Sequence, residues 1–294
     1  MSVLFSLRRL LLVGAALGFA SHVAASEPAL QLTVYNPGTN ALFPVSSVIV
    51  SGQKEAILVD AQFGKGQAEQ VVEKLRASGK QLTTIYISHG DPDYYFGLET
   101  LTEAFPQAKV LASAPTVAHI KETMAGKLAY WGPKMGADKP QNVIVPQVLQ
   151  GDSLSLEGQA LKVIGLDSKQ PDRSFVWIPS IKAVVGGVVV AENLHVWMAD
   201  TQSAQSHQDW LATLQRIEQL QPQTVVPGHY LGERSGTLDA VHFTADYIKA
   251  FDEETAQATN SAELIAAMEK RYPQAGEASS LELSARVAKG EMKW

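Results

Sequence analysis

The chain has 294 residues, 46% of them hydrophobic and 18% charged, with 24 Lys+Arg against 30 Asp+Glu, a formal net charge of -6, and no cysteine. This composition excludes a disordered chain, and with no Lys/Arg run it excludes a nucleic-acid binder, which needs a basic face for phosphates. Without Cys there is no disulfide, no thiolate metal site and no Cys nucleophile, so metal chemistry falls to carboxylates and the seven His.

Residues 1–25 read as an export signal: Arg8 and Arg9 form a charged start, Leu10 to Ala20 is apolar but too short for a span, and Val23-Ala24-Ala25 offers small residues for cleavage. The expectation is a mature chain from Ser26, periplasmic or secreted, with no membrane segment after cleavage. Residues 26–294 are expected to form a single domain that includes the C-terminal helices.

Short β-branched runs alternate with longer amphipathic stretches, the pattern of an α/β protein. Strands are predicted at Leu30 to Tyr35, Ser46 to Ser51, Ala56 to Val59 and Thr83 to Ser88, with a helix from Gly64 to Ser78 that Gly79 ends. Residues 89 to 97 read His-Gly-Asp-Pro-Asp-Tyr-Tyr-Phe-Gly, a loop at a strand end, where α/β folds place their chemistry. A strand at Lys109 to Leu111 and a helix at Thr116 to Lys127 follow. Further strands are expected at Leu154 to Leu156, Leu161 to Ile164, 174–179, 183–190 and Thr224 to Val226, and helices at Ser203 to Leu220, Thr237 to Phe251 and Ala262 to Arg271.

The order of these landmarks resembles the metallo-β-lactamase superfamily: Leu58-Val59-Asp60 closing a strand, the loop at His89, the Gly165 turn, Gly186-Gly187, and Val226-Pro227-Gly228-His229. The resemblance implies a four-layer αββα sandwich whose loops hold one or two metal ions that activate water for hydrolysis. Matched position by position, His89, Asp93 and His229 stand at ligand positions. Asp91 and Tyr94 replace His, Gly165-Leu166 replaces Gly-His with Asp167 one place on, and Gly187 replaces the bridging Asp. Asp60 matches an Asp that supports the site from behind.

Three readings stay open for this altered set. In the first, His89, Asp91, Asp93 and His229, with Asp167, hold one divalent ion such as Zn, Mn or Fe, and Asp93 or Asp91 serves as general base in hydrolysis of a small ester, lactone, amide or phosphoester. Tyr94 would then orient water, with His195, Trp197 and Lys134 facing the substrate. In the second, a non-catalytic periplasmic binding or accessory protein uses Trp131, Lys134, Trp197 and room opened at Gly187 to hold a small molecule. In the third, the two carboxylates do acid–base chemistry without metal, one of them holding a proton near neutrality. Asp91 and Asp93 lie two residues apart, so their charge must be answered by a cation, a shared proton or a basic side chain, for which Lys134 and Arg173 are the candidates. Tyr95 and Phe96 are expected to pack, and His119, His207 and His242 to lie on solvated helix faces.

Overall fold

The computed structural model describes residues 29–294. The expected signal and the start at Ser26 lie outside the described residues. Strands β1 (Gln31–Tyr35), β2 (Ser47–Ser51), β3 (Glu55–Val59), β4 (Gln81–Ile87), β5 (Lys109–Ala112) and β6 (Gln147–Val148) form one sheet in that spatial order. The first two pairings are antiparallel hairpins, and from β3 onward the pairing is parallel. Parallel neighbours need crossovers, which are supplied by α1 (Lys65–Ser78) and by the run of α2 (Pro92–Tyr95) and α3 (Leu98–Ala104). The long α4 (Ala114–Met135) then connects β5 to β6.

A second sheet joins β7 (Ser153–Leu156), β8 (Gln159–Ile164), β9 (Phe175–Ile178), β10 (Ala183–Val185) and, later, β12 (Thr224–Val225), in the order β12-β10-β9-β8-β7. A two-stranded ladder of β11 (Ala191–Glu192) and β13 (His229–Tyr230) stands apart. Helices α5 (Ala204–Gln219), α6 (Asp239–Gln257), α7 (Ser261–Arg271) and α8 (Ala278–Ala288) complete the chain.

Period-two alternation sorts the strand side chains into three cores and thereby fixes four layers. On β3, Ile57 and Val59 face the second sheet, where they meet Leu156, Leu161, Val176 and Val185. Ala56 and Leu58 point the other way, into a core with Val71 and Leu75 of α1 and Ile120 of α4. On β9, Val176 and Ile178 enter the inter-sheet core, whereas Phe175 and Trp177 join Trp210, Leu214, Tyr247 and Leu281 under the C-terminal helices. The αββα expectation is met.

Some boundaries differ from the sequence reading. The expected strand at 183–190 stops at Val185, because Gly186 (φ 67°) and Gly187 (φ 81°) turn the backbone through the left-handed region. The α4 helix extends eight residues past Lys127 to Met135, since Leu128, Trp131 and Met135 continue its apolar face onto the first sheet. The expected loop after His89 contains one helical turn with Pro92 at its start. The short α3 and the last helix, α8, were not expected; Leu281 and Ala285 of α8, one turn apart, are its buried face.

Candidate active site

The ends of β3 and β4 build the base of the site. Asp60 follows β3 with φ 69°, and its buried carboxylate accepts from the Ser88 N–H (2.8 Å) and Ser88 Oγ (2.6 Å). Ser88 Oγ in turn accepts from the Gly187 N–H at 2.7 Å. This chain ties together the three turns that meet under the cleft. Burial pushes the Asp60 carboxyl up to about 7 despite the two Ser88 bonds. Asp60 thus supports the site from behind.

Gly187 contributes no open space. A Cβ there would meet Ser174 O at 2.4 Å and Phe175 Cα at 3.3 Å, so the room expected from the lost bridging Asp is filled by the β9 backbone. Gly228 is equally confined, a Cβ meeting Gly187 O at 2.2 Å and the Tyr94 hydroxyl at 2.8 Å. At position 187, where the resemblance puts a ligand side chain, the Ser174–Phe175 segment occupies the space.

Around that base the structure gathers His89, Asp91, Asp93, Tyr94 and His229. His89 is buried, with Nδ1 3.1 Å from Asp172 O and Nε2 3.1 Å from Asp91 Oδ2, so both ring nitrogens face oxygen acceptors. The other Asp91 oxygen pairs closely with Lys127 Nζ from α4, and His119 Nε2 stands 3.9 Å from it. Burial alone would raise the Asp91 carboxyl, but the His89 and Lys127 charges and the hydrogen bonds from His119 and His89 outweigh it and hold Asp91 well below the usual carboxylate range.

Asp93 has the opposite environment. It is 5% exposed, and its Oδ2 lies 2.8 Å from His229 Nε2. Burial, followed by the neighbouring Asp91 charge, raises its carboxyl well above the usual range. Burial also lowers the His229 imidazole to about 4, so the ring is neutral at pH 7. On its far side His229 Nδ1 lies 3.4 Å from the Tyr94 hydroxyl, whose phenol is kept protonated by burial and by Asp93. Two carboxylates two residues apart are driven in opposite directions, the separation that acid–base chemistry at neutral pH requires.

Asp91, Asp93 and His229 stand at one end of a cavity. Asp91, Asp93, Lys127 and His229 line the polar end, while Phe43, Trp131, Trp197 and Trp294 supply aromatic walls and Val188, Leu194 and Val196 aliphatic ones. Asp200 fixes two of the indoles, accepting from Trp197 Nε1 and Trp294 Nε1, each at 2.7 Å. His195 lines the cavity too, buried and with Nδ1 3.0 Å from the Tyr247 hydroxyl.

Two residues expected at the site are elsewhere. Asp167 is 73% exposed and pairs with Arg216 at 2.6 Å, because the Gly165 turn carries it outward while Leu166 packs toward the inter-sheet core. Lys134 is exposed near the end of α4, about two turns beyond Lys127, with Nζ 3.7 Å from the Tyr130 ring centroid in a cation–π contact. The basic side chain that pairs with Asp91 is Lys127, the last residue of the helix predicted at 116–127. Arg173 is buried over the Trp210 ring, 4.2 Å from its centroid, and Nε and Nη2 have no protein partner. Of the helical His, only His242 lies on a solvated face; His119 reaches the loop at Asp91, and His207 is buried between Asp252 and Thr201 O.

The Metallo-beta-lactamase superfamily profile matches residues 40–229, well over half of the chain, and the chain belongs to that superfamily. A metallo-beta-lactamase from Pontibacter korlensis is 19% identical, with a TM-score of 0.55 over 75% of this chain and 99% of that one. A metallo-beta-lactamase family protein from Thermus thermophilus, also 19% identical, aligns over 91% of this chain and 95% of its own with a TM-score of 0.60. At such identities the likeness is one of fold. The uncharacterized protein YobT of Bacillus subtilis is 36% identical over 73 residues, a match spanning 25% of this chain and about a third (31%) of that protein.

Membership carries an expectation of metal, and the side chains present do not fit it. Among the described residues no group of three or more His, Cys, Asp or Glu side chains is arranged to hold an ion. The donors that would form it are committed to one another, His89 with Asp91 and His229 with Asp93, and an ammonium already stands against Asp91. A divalent ion would have to displace Lys127 and break both His–carboxylate contacts.

Proposed function

We propose that this protein is an exported hydrolase of small esters or lactones with apolar bodies, in which Asp93 is the general base and Lys127 the donor to the substrate carbonyl oxygen. The observation that carries the reading is the Asp93–His229 pair, at 2.8 Å, set at the polar end of an otherwise aromatic cavity. Asp93, oriented by His229, takes a proton from water as the water oxygen attacks the carbonyl carbon. Lys127 donates a hydrogen bond to that carbonyl oxygen as negative charge develops on it. When the ester C–O bond breaks, the proton returns from Asp93 to the leaving oxygen. The raised Asp93 carboxyl suits this task, since a base poised nearer neutrality accepts a proton more readily than an ordinary carboxylate.

The walls argue for the substrate class. Trp131, Trp197, Trp294 and Phe43 suit an apolar acyl group or ring, and the paired carboxylates at the polar end repel a phosphoester. The test is a panel of aryl esters and lactones of increasing acyl length, assayed with wild type and Asp93→Asn. Turnover that rises with apolar length and falls by about 10²- to 10⁴-fold in Asp93→Asn supports the reading. The aromatic walls also suit a protein that only binds a small molecule. That alternative predicts no turnover by wild type and unchanged ligand affinity in Asp93→Asn.

A further inference from the structure

We infer that Lys127 is the built-in cation of this site: its ammonium takes the electrostatic place of a divalent ion, and its presence keeps the native chain from binding one. The inference goes beyond the hydrolase reading and does not depend on it, since it concerns what balances the charge of the site, whatever the site turns over.

The geometry is specific. Lys127 Nζ pairs with Asp91 Oδ1 and lies 3.3 Å from His119 Nε2, and both the lysine and Asp91 side chains are more than four-fifths buried, at 18% and 17% exposed. His119 and Lys127 are eight residues apart on α4, just over two turns, so one helix stripe delivers both to the loop. That stripe approaches closely only because residue 90 is glycine: a Cβ there would meet His119 Cδ2 at 2.5 Å. The loop and helix are thus matched to each other, and the largely buried ammonium and carboxylate satisfy one another. A divalent ion placed among His89, Asp91, Asp93 and His229 would meet the ammonium as a like charge, at a point where the Lys127 and Asp91 side chains are largely shielded from solvent.

The test is equilibrium dialysis of wild type and Lys127→Met against Zn²⁺ and, separately, Mn²⁺, followed by elemental analysis, with thermal unfolding of Asp91→Asn, Lys127→Met and the double variant. Wild type is expected to take no ion above the level of an Asp93→Ala control, and Lys127→Met to take up about one equivalent. In the unfolding cycle, Asp91→Asn added to Lys127→Met is expected to recover much of the melting temperature that Lys127→Met alone loses. If Lys127→Met does not fold alone, recovery of a folded double variant supports the inference and failure to recover overturns it. One equivalent of Zn²⁺ or Mn²⁺ in wild type overturns it, as does a folded Lys127→Met protein that takes up neither ion. None of these readouts measures turnover, so they are separable from failure of the hydrolase reading.

Discussion

His229 lies between Asp93 and Tyr94, with Nε2 2.8 Å from Asp93 Oδ2 and Nδ1 3.4 Å from the Tyr94 hydroxyl. Two proton arrangements satisfy this trio. With Asp93 protonated, the acid donates to Nε2 and Nδ1–H donates to the phenol oxygen. With Asp93 ionised, Nε2–H donates to the carboxylate and the phenol donates to Nδ1. The imidazole is neutral in both, so the trio gains or loses one proton without placing a cation in a buried ring.

Tyr94 is therefore a positioning residue whose hydroxyl selects the tautomer that leaves Asp93 ionised. Tyr94→Phe keeps the ring, which is fully buried, and removes only that hydroxyl. The expected result is a fall in kcat of about 3- to 30-fold with KM unchanged, a loss of roughly 1 kcal/mol of stability, and a pH–rate profile whose acidic limb moves upward. Kinetics across pH 5 to 9 with the best ester would check it; an unmoved acidic limb contradicts the assigned role.

Restoring the superfamily's side chain at position 187 should harm the protein. Gly187 has φ 81°, and a Cβ would lie 2.4 Å from Ser174 O. Gly187→Asp is expected to cost about 2 to 4 kcal/mol in urea unfolding and to confer no metal binding. A stable Gly187→Asp protein would show that the cleft floor is not closed as described.

Asp60 should give stability a pH dependence of definite sign. Its carboxyl moves from an ordinary 3.8 up to about 7 in the folded chain, so the native state binds more protons than the unfolded state between those values. Its contribution is therefore full below about pH 4 and is lost as pH rises through about 7, with a slope approaching roughly 1.4 kcal/mol per unit in between. Urea unfolding of wild type and Asp60→Asn between pH 4.5 and 8 would show it. The variant, though less stable at low pH, should lack this part of the slope.

The four layers were legible through the order of landmarks shared with the superfamily. Runs within Glu55–Val59 and Phe175–Ile178 are apolar at successive positions because both faces are buried, so the sequence marks them as strands without saying which core each side chain enters. The cluster at His89, Asp91, Asp93 and Tyr94 was readable because it is contiguous. Lys127 was not, since its meeting with Asp91, 36 residues away, depends on how α4 docks and on the missing Cβ at Gly90. Charge balance called for a cation, a shared proton or a basic side chain, and of the basic candidates named, Lys134 lies about two turns further along the same helix, turned to the Tyr130 ring. Likewise Asp167 is adjacent in sequence to a family ligand position, but the Gly165 turn sends it to solvent. The aromatic walls combine Phe43, Trp131, Trp197 and Trp294 from four distant segments, a convergence no local pattern encodes.

If the site works through its own side chains, with Asp93 as base and Lys127 as cation, turnover needs no added ion. The deciding experiment is kcat/KM for the best ester or lactone substrate before and after exhaustive chelation, on protein whose metal content is measured in the same sample. Less than about one-tenth of an equivalent of metal is expected, with kcat/KM unchanged within about twofold. Activity that falls with chelation and returns on adding Zn²⁺ or Mn²⁺ would contradict a site that runs on Asp93 and Lys127 alone.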